Sequence, residues 1–278
     1  IFKIVEIDDK KARCIVVSGG ELSNRKSMNF PNRVMAQDFL SEKDQSDLLF
    51  GIENQVDFVA ASFVSRKKDV ADMRRFLDEN GGADIDIIAK IENRSGVENI
   101  EEICEIADGI MIARGDLGVE IPAMEVPSVQ KYLINKCRLL GKRVITATEM
   151  LESMIHNPRP TRAELSDVAN AVYDGTSAVM LSGETAAGKY PVESVRNMVQ
   201  TIEFTEKSIH YDRRFKVADF AIKNNVDAVS HGTCAMAVDV GAKCIVVNSL
   251  SGRTARMVSR FRCPVDIIGM THSEKGWR

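Results

Sequence analysis

Lys90 and Glu92 stand two residues apart in the run Ile87-Ile88-Ala89-Lys90-Ile91-Glu92-Asn93, and Asp116 stands in Ala113-Arg114-Gly115-Asp116-Leu117-Gly118. An ammonium and two carboxylates gathered at one place suit a divalent cation and a charged, phosphorylated substrate. The plainer readings are a solvated strand face for the Lys and Glu, and an ordinary turn for Arg-Gly-Asp. Apolar context favours the site. Both blocks sit where a parallel sheet is buried on both faces, and charges there need a reason.

The elements that must position these groups can be read from periodicity. Asp86 to Ala89 follow a Gly-Gly break and read as a buried strand, along which Lys90 and Glu92 point to the same side. Gly109 to Ile112 form a second apolar run that delivers Asp116. Between them, Gly96 to Ile106 has apolar residues at 97, 100, 103 and 106, a helical spacing. A strand-helix-strand unit of this kind is parallel and brings the carboxyl ends of both strands to one rim.

The unit repeats. Strands are expected near 56–63, 85–92, 109–114, 143–148 and 177–182, each followed by a helical segment. Ser41 with Asp44 reads as a capping-box helix start. Thr148 and Ser182 fall at the ends of the fourth and fifth strands, where each reads either as a helix cap or as a member of the site. Asn157-Pro158-Arg159-Pro160-Thr161 is a stiff connection, since each proline fixes its own φ and restricts the residue before it. Five βα units in a row point to an α/β chain with a partial (β/α)8 TIM barrel. A doubly wound sheet is the alternative, but it would want a Gly-rich first loop that is missing here.

The flanks differ in texture. Residues 1 to about 30 alternate apolar and polar in a hairpin pattern, and Asn29-Phe30-Pro31-Asn32 reads as a linker; residues 1–38 thus read as the tail of a β-domain with its linker. Residues 39–207 hold the partial barrel. Residues 208–278 read as part of a C-terminal α/β domain, with helices expected at Val217–Ile222 and Asp227–Val240, a strand at Lys243–Asn248, a helix at Ala255–Phe261 and a strand at Val265–Met270. Ser249, Ser251, Gly252, Arg253 and Thr254 lie between that first strand and the helix after it. They read equally as a phosphate cradle and as an ordinary βα loop.

Composition sets outer bounds. The 278 residues are 44% apolar and carry a net charge of −3 from 37 basic and 40 acidic residues. That favours neither nucleic acid nor a membrane surface as partner, and no apolar run is long enough for a membrane span. Six cysteines without a CxxC pair read as reduced thiols in a cytoplasmic protein. Four scattered histidines argue against a zinc site or a Ser-His-Asp hydrolase. The chain starts at Ile1 without a Met and stops just past a strand-like run, as a piece of a longer protein would.

Together, Ile88 to Asn93, Ala113 to Pro122, Thr146 to Met154, Asn157 to Glu164 and Met180 to Ala186 closely resemble the pyruvate kinase family, in order and over nearly the whole chain. Glu149 stands where that family commonly has a glutamine. The resemblance implies transfer of phosphoryl from phosphoenolpyruvate to ADP, giving pyruvate and ATP, with Mg²⁺ or Mn²⁺ and with K⁺. It implies Glu92 and Asp116 as metal ligands and Lys90 as the cation facing the transferring phosphoryl. The backbone of Ala113, Arg114, Gly115 and Asp116 would seat the substrate carboxylate. Thr148 with Ser182 would protonate the enolate, and Ser62 would line the pocket. A phosphorylated effector at the Ser249–Thr254 loop and a homotetramer are further implications. The monovalent-cation ligands would lie outside this chain, which alone is expected to be inactive and poorly soluble. Other readings are a Mg²⁺-dependent barrel of the class II aldolase or phosphoenolpyruvate mutase kind, and a non-catalytic remnant.

Overall fold

Strand β4 (Asp86–Ile91) lies at the second position of a five-stranded parallel sheet ordered β3 (Phe58–Ala61), β4, β5 (Gly109–Ala113), β6 (Arg143–Ala147), β7 (Ala178–Met180). This computed structural model describes residues 1–21, 24, 28–31, 38–218 and 220–277. All five expected strands are present. The order follows the sequence, and each neighbour is parallel, so helices must carry the chain back along one face.

Alternation along β4 explains both layers. Ile87, Ala89 and Ile91 are fully buried against the helix side with Met73, Leu77, Ile103, Leu133 and Ile134. Ile88 faces the other way and packs with Met111, Ala147, Ile145 and Met180. Lys90 shares the face of Ile88. Burial of both faces is what an apolar parallel strand needs.

The helices start and stop on local chemistry. Helix Glu42–Glu53 opens on a Ser41–Asp44 capping box, and Arg162–Asp174 on a Thr161–Glu164 box, each satisfying otherwise orphaned N–H groups. Val126–Leu140 and Arg162–Asp174 end on Gly141 and Gly175, both left-handed. Cys104 and Cys137, on separate helices of this layer, meet with sulfurs 4.0 Å apart and stay free thiols.

Two expectations are corrected. The segment Gly96–Ile106 is two helices, Arg94–Glu98 and Ile100–Ile106, broken at Asn99. The Asn99 side chain donates to Ser65 O (2.9 Å) at the break. Val217–Ile222 is not a helix; helix Tyr211–Val217 ends there and Ala218 is extended. Phe215, Phe220, His231 and Phe261 pack ring to ring, and this cluster, rather than a helical face, places Phe220, while Val217 and Ile222 are exposed. Asp219 in that segment, Asn32 in the expected linker and the terminal Arg278 lie outside the described residues.

Further on, β8 (Cys244–Asn248) pairs in parallel with β9 (Asp266–Met270), packed by helices Asn225–Asp239 and Arg253–Ser259. Ile1–Phe30 is a separate unit, in which β1 (Phe2–Asp8) and β2 (Lys11–Val16) form an antiparallel hairpin with a register shift between Ile4 and Glu6. Among the described residues no helix is long and apolar enough to cross a membrane.

Candidate active site

Glu92 follows the last residue of β4 and is fully buried. One carboxylate oxygen, Oε2, accepts the Phe63 N–H at 2.6 Å. The other, Oε1, lies 2.6 Å from the Lys90 ammonium but receives no well-directed hydrogen bond. Lys90 Nζ also donates to Ser62 Oγ at 3.2 Å. Lys90, Glu92 and Ser62 are therefore brought together, as the alternation along β4 predicts. A buried carboxylate oxygen left short of donors is costly unless something else satisfies it.

Asp116 lies three residues beyond β5, in the first turn of helix Arg114–Glu120, and is half-buried. Among the described residues no group of three or more His, Cys, Asp or Glu is arranged to hold a metal. A magnesium-type ion needs only one or two protein carboxylates, since it keeps several waters and takes substrate oxygens as its remaining ligands. The under-satisfied Oε1 of Glu92 fits such an ion.

Thr148 follows β6 and adopts φ +68°, with Glu149 at +54°. A left-handed β-branched residue costs on the order of 1–3 kcal/mol and persists only where its surroundings hold it. Here the Thr148 hydroxyl accepts the Gly115 N–H at 2.8 Å and donates to Ala147 O at 2.6 Å. It thus ties the end of β6 to the start of helix Arg114–Glu120 instead of capping a helix of its own.

Arg114 carries a surprise. Its backbone opens the helix, but its side chain is 8% exposed and turns toward the loop after β6. Sequence reasoning considered only the backbone there. It also overlooked Glu184, 1% exposed, which accepts the N–H groups of Leu151 (2.9 Å) and Ser182 (2.8 Å) and so joins the loops after β6 and β7. A charged residue inside Met180-Leu181-Ser182-Gly183-Glu184 was the available signal. Ser182 sits at the start of the short helix Gly183–Ala186, and its hydroxyl makes no capping bond.

Glu164 secures the proline-stiffened connection. It accepts from Ser153 N (2.7 Å), Ser153 Oγ (2.6 Å), Thr161 N (2.7 Å) and Thr161 Oγ1 (2.9 Å). Burial pushes its carboxyl up, but these four donors outweigh burial and leave it below the usual glutamate value.

The Ser249–Thr254 loop is far from all this in the fold order, at the end of β8. Gly252 takes φ +71°, and Ser249 Oγ accepts the Thr254 N–H at 3.4 Å. Ser251, Arg253 and Thr254 are exposed.

Residues 1–195 match the family described as pyruvate kinase, barrel domain, and residues 227–278 match pyruvate kinase, alpha/beta domain. The chain is 47% identical over 270 residues to a pyruvate kinase of Clostridium acetobutylicum, covering 97% of this chain and 57% of that protein. It is 50% identical over 273 residues to one of Geobacillus stearothermophilus, covering 96% and 46%. Against one of Clostridium perfringens the identity is 46% over 277 residues, covering 99% and 58%. The chain spans about half the length of the curated relatives it matches. With barrel and alpha/beta regions both matched in order, the chain belongs to the pyruvate kinase family.

Proposed function

We propose that this chain carries the phosphoryl-transfer site of a pyruvate kinase, which moves phosphoryl from phosphoenolpyruvate to ADP and yields pyruvate and ATP. One observation supports this most: the Lys90 ammonium stands 2.6 Å from a fully buried Glu92 whose Oε1 lacks a well-directed donor. That is a preorganised charge pair of the kind phosphoryl transfer needs, because the protein contributes mainly positioning and charge neutralisation. When bound, Mg²⁺ or Mn²⁺ at Glu92 and Asp116 would supply positive charge to the substrate oxygens.

The chain's own groups divide the remaining work. Lys90 faces the phosphoryl group in flight and offsets its charge. The backbone of Ala113, Arg114, Gly115 and Asp116 would seat the substrate carboxylate, with the Thr148 hydroxyl, which accepts the Gly115 N–H, held beside it. Once phosphoryl has left, the enolate needs a proton at its methylene carbon. Thr148 relays it, with Ser182 placing the water that restores it, and Ser62 lines the pocket beside Lys90.

The proposal extends to the whole chain. It divides the chain into a lid remnant (1–38), a partial barrel (39–207) and part of an effector and assembly domain (208–278). It includes a K⁺ requirement met by residues outside this chain, a homotetramer, a cytoplasmic location suited to free thiols, and binding of a phosphorylated effector at Ser249, Ser251, Gly252, Arg253 and Thr254. The test is a coupled assay with phosphoenolpyruvate and ADP on the protein extended to the length of its relatives, with and without Mg²⁺ and K⁺. Pyruvate formation that needs both cations is expected. Turnover that ignores divalent cation would overturn the site.

A further inference from the structure

Arg114 directs one planar fork at three successive carbonyls. Its Nε donates to Ala147 O (3.3 Å) and Thr148 O (3.2 Å), and its Nη2 to Thr148 O (2.6 Å) and Glu149 O (3.2 Å). Nη1 is held by Asp167 Oδ1 (2.8 Å) and Gln130 Oε1 (3.2 Å), so the fork is fixed from behind. Gln130 is 5% exposed and the Asp167 side chain 34%. The three carbonyls belong to the turn in which Thr148 and Glu149 are both left-handed. No local sequence signal favours that conformation for a threonine, so a long-range contact must impose it.

We propose that Arg114, braced by Asp167 and Gln130, is a positioning residue for proton transfer: it holds the turn after β6 in its left-handed form and thereby sets the Thr148 hydroxyl against Gly115. The inference rests on the reading of Thr148 given above. A lysine could not replace it. Its point charge can meet one carbonyl at a time, whereas the guanidinium meets all three and Asp167 in one plane. A small misplacement of a catalytic group is enough to slow its step about 10²-fold.

The experiment uses the protein at the length of its relatives, with Arg114→Lys, Asp167→Asn, Thr148→Ala and the double variant Arg114→Lys/Thr148→Ala. Uptake of deuterium at the methyl carbon of pyruvate, followed by proton NMR in D₂O with Mg²⁺ and ATP, reads the proton-transfer step alone. Thr148→Ala is expected to slow exchange on the order of 10²-fold. Arg114→Lys should slow it about 10²-fold, and Asp167→Asn less but in the same direction. The Mg²⁺ concentration for half-maximal exchange should stay put in all of them. In the double variant Arg114→Lys should add nothing to the loss from Thr148→Ala, since both act on one step through one group.

Normal exchange in Arg114→Lys beside a slow Thr148→Ala overturns the positioning role and leaves the reading of Thr148 standing. An equal further loss from Arg114→Lys in the Thr148→Ala background also overturns it. Normal exchange in Thr148→Ala overturns the reading of Thr148, and the positioning role with it. Should Arg114→Lys fail to fold, Asp167→Asn, at a more exposed position, supports the same comparison alone and combined with Thr148→Ala.

Discussion

The two ends of the five-stranded sheet use the same residue types to opposite effect. At the amino ends of the strands, charges satisfy one another. Asp86 pairs with Arg143 at 2.5 Å and stands 3.9 Å from Arg256. Asp108 accepts from Arg74 (3.1 Å) and from Ile87 N (2.9 Å). At the carboxyl ends the charges are buried more deeply, and Glu92 Oε1 there lacks a well-directed donor. The lesson is that depth of burial and choice of partner, not charge alone, separate a brace from a site. The amino-end pairs link the sheet to the β8–β9 region, whereas at the carboxyl end a fully buried carboxylate, Glu92, lies against Lys90 with one oxygen lacking a well-directed donor. This matches the general division of labour in β/α barrels, with chemistry at the carboxyl end and stability at the other.

The contrast can be tested from both ends, each time on the protein at the length of its relatives. The largest effect should come from Lys90→Ala, which is expected to lower phosphoryl transfer by about 10³-fold or more, measured as pyruvate formed in the coupled assay. Near-normal turnover would erase the distinction between the two ends. Next, Glu92→Gln should raise the Mg²⁺ needed for half-maximal activity by at least about 10²-fold, more than losing a supporting partner behind a ligand costs a metal site. An unchanged Mg²⁺ titration would remove Glu92 from the ligand set.

At the opposite end, Asp86→Asn should cost about 1 kcal/mol of stability, because the pair is partly exposed and screened. Urea unfolding would read that loss, and kcat should not move. A large fall in kcat would mean that the amino ends are more than a brace. The smallest effect concerns Glu164. Its folded-state value lies below its unfolded one, so the native form binds fewer protons and the stabilisation is complete above the usual glutamate range. It is lost as pH falls through the depressed value. Thermal melts between neutral pH and about pH 3 should therefore decline less steeply for Glu164→Gln than for the parent; parallel curves would contradict the assignment.

Sequence alone disclosed the part of this contrast that depends on local periodicity. The five strands were readable because apolar runs of strand length alternate with helical spacing, and Lys90 and Glu92 were readable as neighbours because strand side chains repeat every two residues. The break at Asn99 was not, because it depends on a carbonyl at Ser65, more than thirty residues away. Nor was the role of the Arg114 side chain, whose partners Gln130, Ala147, Thr148, Glu149 and Asp167 come from three later segments. Val217–Ile222 misled for a related reason. Its apolar spacing fits a helix, but Phe220 is claimed by a ring cluster with Phe215, His231 and Phe261 that no periodicity encodes. Local pattern revealed where polar groups emerge; which of them hold others in place was settled between elements.

The meeting of Cys104 and Cys137 has a practical corollary. Both sulfurs are sealed in the helix layer, at 3% and 0% exposure, while Cys14 on the hairpin is open to solvent. A thiol-reactive dye therefore finds Cys14 at once and Cys104 and Cys137 only when that layer parts, so the labelling of those two, followed peptide by peptide, is a clock for how often helices Ile100–Ile106 and Val126–Leu140 separate.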